Sequence, residues 1–151
     1  MYGTDLSATA LLTPRLSLEG TVSLVSDDLF ETSRGTRVTL NAPKRKGSIA
    51  ALYRAPSGLN AEARVRYTAG FPVVSGVYEG TGCLGNEGAE VEPCVEAYTL
   101  FDVNVGYPIP VLPGAMLQLS VQNLFDEGYR SFPGVPEVGR MALVRLRYEL
   151  P

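Results

Sequence analysis

Leu59–Thr68 reads LNAEARVRYT. Leu59, Ala61, Ala63, Val65 and Tyr67 fall on one side of an extended chain, and Asn60, Glu62, Arg64, Arg66 and Thr68 on the other. Alternation with period two marks a β-strand whose two faces meet unlike surroundings. The pattern recurs along the chain. Leu16, Leu18, Val22 and Leu24 alternate with Ser17, Glu19, Thr21 and Ser23, and Phe101, Val103, Val105 and Tyr107 with Asp102, Asn104 and Gly106. Leu117, Leu119 and Val121 alternate with Gln118, Ser120 and Gln122. Val144, Leu146, Tyr148 and Leu150 alternate with Arg145, Arg147 and Glu149. With the weaker segments Asp5–Leu12 and Ser48–Arg54 the chain reads as all-β, with about seven strands and no helical period.

The connectors alternate too. Short turns at Thr13-Pro14-Arg15, Ala55-Pro56-Ser57-Gly58 and Pro108–Gly114 are interleaved with long stretches at Asp27–Gly47, Ala69–Ala97 and Asp126–Gly139. In an antiparallel up-and-down meander every short turn then lies at one end and every long loop at the other. Outer-membrane barrels have this asymmetry, with short periplasmic turns and longer outer loops. The meander also sorts the aromatics on the apolar face. Tyr53, Tyr107 and Tyr148 fall at the turn end, and Tyr67, Phe101 and Phe125 at the loop end, two rows that bracket an aliphatic band as an interfacial girdle does. The rival reading is a soluble β-sandwich, whose strands also alternate.

Composition narrows the function classes. The chain has no histidine, which removes Ser-His-Asp and Cys-His nucleophiles, His-dependent zinc sites and proton shuttling near neutral pH. Lys and Arg number 13 against 16 Asp and Glu, a net charge of −3, so no nucleic-acid partner is expected. Apolar runs fall far short of the ~18–20 residues of a spanning helix. The start, MYGTDLSATALL, lacks the basic-then-apolar pattern of a secretory signal.

About seven strands do not close a barrel in lipid, because two open edges would leave backbone groups unpaired. The simplest expectation is the C-terminal third of a larger barrel. Asn123–Arg140, NLFDEGYRSFPGVPEVGR, supports it. With the amphipathic strand that follows, it resembles the C-terminal end of TonB-dependent outer-membrane receptors, in which an Asn-Leu-Phe-Asp turn precedes the last loop and a Gly-Arg opens the closing strand. Here those residues are Asn123, Leu124, Phe125 and Asp126, then Gly139 and Arg140. Leu40–Tyr53 (LNAPKRKGSIAALY) and Arg64–Gly80 (RVRYTAGFPVVSGVYEG) match the same family, so the resemblance covers essentially the whole chain.

The resemblance implies a barrel of about 22 strands in the outer membrane of a Gram-negative bacterium, importing a bulky nutrient such as a siderophore chelate, cobalamin or a glycan. Its partners would be outer-membrane lipids, the remainder of the barrel, an N-terminal plug, and the TonB complex through a segment before the plug. Signal peptide, TonB-contact segment and plug are expected upstream of Met1. The end, Tyr148-Glu149-Leu150-Pro151, departs from the aromatic last residue common in such barrels.

Cys83 and Cys94 share one long connector. In an outer loop facing an oxidising compartment they read as a disulfide, with a free pair or a metal site as alternatives. That connector also holds Glu79, Glu87, Glu90, Glu92 and Glu96, a solvated acidic loop or a gatherer of cations. Lumen-facing polar candidates are Arg54, Glu62, Arg64, Arg66, Asp102, Asn104, Arg145, Arg147 and Glu149. They would pair with one another, meet plug carboxylates or attract anionic ligands. The basic run Lys44-Arg45-Lys46 stands at the start of a strand on the outer side. Asp27-Asp28 and Asp126-Glu127 are neighbours on loops, not carboxyls opposed across a substrate. No enzyme, cofactor or metal site is expected. The competing functions are an oligomeric structural or adhesive barrel and a soluble binding module.

Overall fold

Alternating side chains build alternating faces only if the strands pair in register, and they do. The computed structural model describes residues 1–27, 29–31, 35, 37–73 and 94–149. Its strands are β1 (Gly3–Thr13), β2 (Leu16–Val25), β3 (Leu29–Glu31), β4 (Arg37–Thr39), β5 (Arg45–Arg54), β6 (Asn60–Thr68), β7 (Tyr98–Pro108), β8 (Ala115–Gln122) and β9 (Met141–Tyr148). Seven of them form one antiparallel sheet in the order β1-β2-β5-β6-β7-β8-β9, the expected meander. The small β3–β4 hairpin, inside the connector between β2 and β5, was not legible as strands, since three residues are too few to show a period.

Short turns close one end of the sheet. Between β1 and β2, Thr13 Oγ1 accepts the backbone N–H groups of Arg15 and Leu16 at 3.2 and 3.0 Å, and Pro14 presets the bend. Between β7 and β8, Gly114 has φ +84°, and a Cβ there would stand 2.6 Å from the Glu149 carbonyl oxygen, so only glycine fits. The described residues of the longer connectors, among them Phe71, Val95, Asn123 and Phe132, lie at the opposite end.

The register fixes which residues share a face. Ile49 pairs with Val65, and Val65 with Phe101; one step on, Ala50 pairs with Arg64, and Arg64 with Asp102. The apolar side therefore carries Leu6, Val22, Ile49, Val65, Phe101, Leu119 and Val144, and all of these are exposed. A soluble sandwich would lay a second sheet on that side. No described residue covers it. The buried apolar cluster lies instead at the loop end, where Phe71, Val73 and Val95 pack with Cys94, Tyr98 and Phe132. Phe71 and Val95 bridge there through a reciprocal backbone pair at 3.0 and 3.2 Å. An exposed apolar face spanning seven strands far exceeds the few-hundred-Å² patches of soluble monomers.

Candidate functional site

The polar side carries a charged ladder across the middle strands. Arg66 grips Asp102 with both arms of its guanidinium, Nε to Oδ2 at 2.5 Å and Nη2 to Oδ1 at 3.1 Å. Asp102 Oδ1 also accepts the Asn123 N–H at 3.0 Å. One row over, Arg64 Nε donates to Glu62 Oε1 at 2.8 Å, its Nη1 reaches Ser48 Oγ at 3.4 Å, and its Nη2 stands 3.7 Å from Glu19 Oε2. Further along, Ser120 Oγ donates to Asn104 Oδ1 at 2.5 Å. These contacts link β2, β5, β6, β7 and β8 through side chains as well as backbone. A fork-shaped guanidinium with its carboxylate already engaged is a rigid wall element, because two parallel charge-assisted bonds fix its orientation.

The second constellation closes the loop end. Asn123 and Asp126 both adopt left-handed backbone, φ +55° and +60°, a conformation that Asn and Asp tolerate better than other L-residues. Asn123 is 3% exposed, and its amide copies a β-pair: Nδ2 donates to the Glu127 carbonyl at 2.7 Å, and the Glu127 N–H donates to Oδ1 at 3.0 Å. The Leu124 N–H donates to the Phe101 carbonyl at 2.7 Å. The rings of Phe125 and Phe101 meet edge to face, centroids 4.8 Å apart. Asp126 Oδ1 accepts the Arg140 N–H at 2.6 Å, and Arg140 Nη1 reaches back to the Leu124 carbonyl at 3.4 Å. A Cβ on Gly139 would stand 2.7 Å from that same Asp126 oxygen, so a side chain there would push the carboxylate off the Arg140 N–H. Asn123, Leu124, Phe125, Asp126, Gly139 and Arg140 thus form one clamp that ties the segment after β8 to β7 on one side and to the start of β9 on the other.

The remaining candidates sort by register. Arg54 lies opposite Asn60 at the turn end, and Arg145 opposite Gln118 on the polar side of β9. Neither joins the ion pairs found among the described residues, whereas Arg147 pairs with Glu149. The expected aromatic rows are present and exposed: Tyr53, Tyr107 and Tyr148 at one end, Tyr67, Phe101 and Phe125 at the other. Tyr2 adds to the loop-end row, since its carbonyl accepts the Ser26 N–H and continues the β1–β2 register. Sequence reasoning passed over Tyr2, and it passed over the contact of Glu19 with Arg64. Both follow from strand register once the pairing is known. Cys94 carries no free thiol and accepts the Val73 N–H at 3.4 Å. Its expected partner Cys83 lies outside the described residues, as do Glu79, Glu87, Glu90, Glu92, Asp28 and Leu150.

An apolar outer face, aromatic rows at both its ends and ion pairs on the reverse side are what a membrane-spanning β-barrel wall requires. The solved structure of the ferric-catecholate import receptor Fiu from E. coli K12, in its closed form, matches 97% of this chain with a TM-score of 0.64 at 21% identity. The fold is that of a β-barrel wall. The matched part makes up 20% of the receptor's chain, so the present chain spans about a fifth of that receptor's length. The barrel fold implied by the resemblance of Asn123–Arg140 to TonB-dependent receptors is thereby met in the structure. No family model matches the chain, and no curated protein does.

Proposed function

We propose that this chain is the C-terminal part of the barrel of a TonB-dependent outer-membrane receptor that imports a bulky nutrient of the siderophore, cobalamin or glycan class. The observation that carries the reading is the division of one sheet into an exposed apolar face and an ion-paired polar face, together with the match of nearly the whole chain to a minor part of an import receptor. In this reading the apolar face meets outer-membrane lipid. The edges β1 and β9, each with a single neighbour in the sheet, pair with strands of the remaining barrel. An N-terminal plug lies against the polar face, and the TonB complex acts through segments before the plug. Arg64 and Arg66 already hold acids and serve the wall. Arg54 and Arg145 are the arginines left to meet plug carboxylates or an anionic nutrient. The chain has no catalytic role.

The reading is tested by deleting the gene in its own bacterium and following uptake of a ferric catecholate, cobalamin and an oligosaccharide, with and without a proton uncoupler. Loss of uncoupler-sensitive uptake of one class is expected. Unchanged uptake of all three, with the protein fractionating away from the outer membrane, would overturn it.

A further inference from the structure

The apolar face is nearly free of charge, and the exception has a definite place. Register sets Thr4, Leu6, Ala8 and Ala10 of β1 on this face with Leu16, Leu18, Gly20, Val22 and Leu24 of β2. The acids of the sheet strands, Asp5, Glu19, Glu62 and Asp102, all take the opposite side. Among the described strand positions of the apolar face one is charged: Arg45, which pairs with Leu24 at the loop end of β5. It is exposed and has no part in the ion pairs of the described residues. Its neighbour Lys46 has the other parity and lines a hollow on the polar side with Asp5, Ser23 and Arg66. The basic run of the sequence is therefore divided between the two faces.

Arg140 repeats the arrangement at the far edge. It precedes β9 by one residue, and alternation sets it with Ala142, Val144 and Tyr148 on the apolar side. It is exposed, and its single side-chain bond, to the Leu124 carbonyl, leaves most of the guanidinium donors open. Both arginines stand at the loop end. At the turn end the same face ends in Leu16, Tyr53, Tyr107 and Tyr148, with no charge.

Depth argues in the same direction. From Arg45 to Tyr53, and equally from Arg140 to Tyr148, a tilted strand advances roughly 20 Å along the membrane normal. The apolar band of such barrels is about 25 Å tall, and an arginine stem covers the remaining few ångströms while keeping its head in the polar layer. Each guanidinium then stands at the depth of lipid phosphates on the loop side only. Its planar fork suits two phosphate oxygens, which a lysine ammonium would meet only as a point charge.

We propose that Arg45 and Arg140 are docking points for the phosphate groups of outer-leaflet lipids on the lipid-facing rim of the wall. Strands β6, β7 and β8 separate them by roughly 19 Å, so each engages its own phosphate. The proposal rests on the apolar face being the lipid-facing one, and the experiment separates the two claims.

This chain has no tryptophan, so once any tryptophans in the rest of the full-length protein are replaced by phenylalanine, a single introduced one reports its own surroundings. Leu24→Trp stands opposite Arg45, Ala142→Trp lies two residues from Arg140, and Leu146→Trp lies toward the turn end of the same face. The full-length protein carrying one of these is reconstituted in phosphatidylcholine vesicles in which a fixed fraction of lipid is brominated phosphatidylcholine or brominated phosphatidic acid. All three tryptophans are expected to be quenched by brominated phosphatidylcholine. At the two rim positions phosphatidic acid should be preferred about fivefold, the effect of one basic side chain near a lipid surface, and at Leu146→Trp not at all. Arg45→Gln should abolish the preference at Leu24→Trp alone, and Arg140→Gln at Ala142→Trp alone. Quenching by both lipids without a preference at the rim would overturn the docking points and leave the barrel reading intact. Loss of the preference on adding inorganic phosphate would replace the lipid by a free anion and also overturn the proposal. Absence of quenching at all three positions would overturn the barrel reading itself.

Discussion

In β5, Ile49 is 66% exposed and the adjacent Ala50 is 0% exposed; across the sheet on Ala50's side, the Asp102 side chain is 9% exposed. A soluble protein orders these the other way. Leaving a Val, Leu, Ile or Phe side chain in water forfeits about 1.5–3 kcal/mol each, and the apolar face carries them on strand after strand. No marginally stable sheet could sustain that loss in water. The polar face shows the complementary economy. Its central arginines, Arg64 and Arg66, are engaged by the carboxylates of Glu19, Glu62 and Asp102, as a shielded surface demands and an open aqueous one does not. The comparison teaches that the two faces suit different solvents, as the proposed placement of lipid against the apolar side requires.

Substitution at adjacent positions breaks the comparison most sharply. Val103 and Asn104 share depth and backbone context but lie on opposite faces. Val103→Arg in the full-length protein should cost ~2–4 kcal/mol in a denaturant-folding titration into bilayers, the penalty for a cation on the lipid side near mid-membrane. Asn104→Arg should cost far less. Equal penalties would erase the distinction between the faces.

The loop end obeys neither rule and tests what holds the faces together there. A Cys83–Cys94 disulfide would stabilise the connector by ~2–3 kcal/mol in the chain-entropy picture. Mass spectrometry of protein from an oxidising compartment should find no thiol alkylated before reduction, and two alkylated thiols would contradict the pairing. Next in size is the clamp. Asn123→Ala removes both amide bonds to Glu127 and strains a left-handed backbone, at about 2 kcal/mol. Asn123→Gly relieves the backbone but not the lost bonds, so it should recover part of that in the same titration. Smallest is Arg147→Gln. Its pair with Glu149 is exposed on both sides, and the loss should stay below about 1 kcal/mol. A larger loss would mean that the β9 edge is covered more tightly than its exposure indicates.

The meander was legible because contrast between faces writes itself as alternation, and Leu59–Thr68 shows it without interruption. The ends of the sheet were legible because connector lengths alternate. The ion-pair partners were not, since Glu19 and Arg64 come together only through the registers of β2 with β5 and of β5 with β6. The Asn123–Arg140 motif was visible as a resemblance, but its geometry was hidden. It depends on positive φ at Asn123 and Asp126, and neither residue type requires that conformation. The β3–β4 hairpin left no trace because three-residue strands carry no period.

The central claim is that the apolar face meets lipid, and spin labels at Ile49→Cys and Ser48→Cys test it most directly. These neighbours in β5 face opposite sides. With the full-length protein in bilayers, collision rates with oxygen, which concentrates in the hydrocarbon, and with a water-soluble nickel chelate are measured at each label. The account predicts a high oxygen-to-nickel ratio at position 49 and a low one at position 48. Equal ratios at the two positions, or the reverse order, would contradict it.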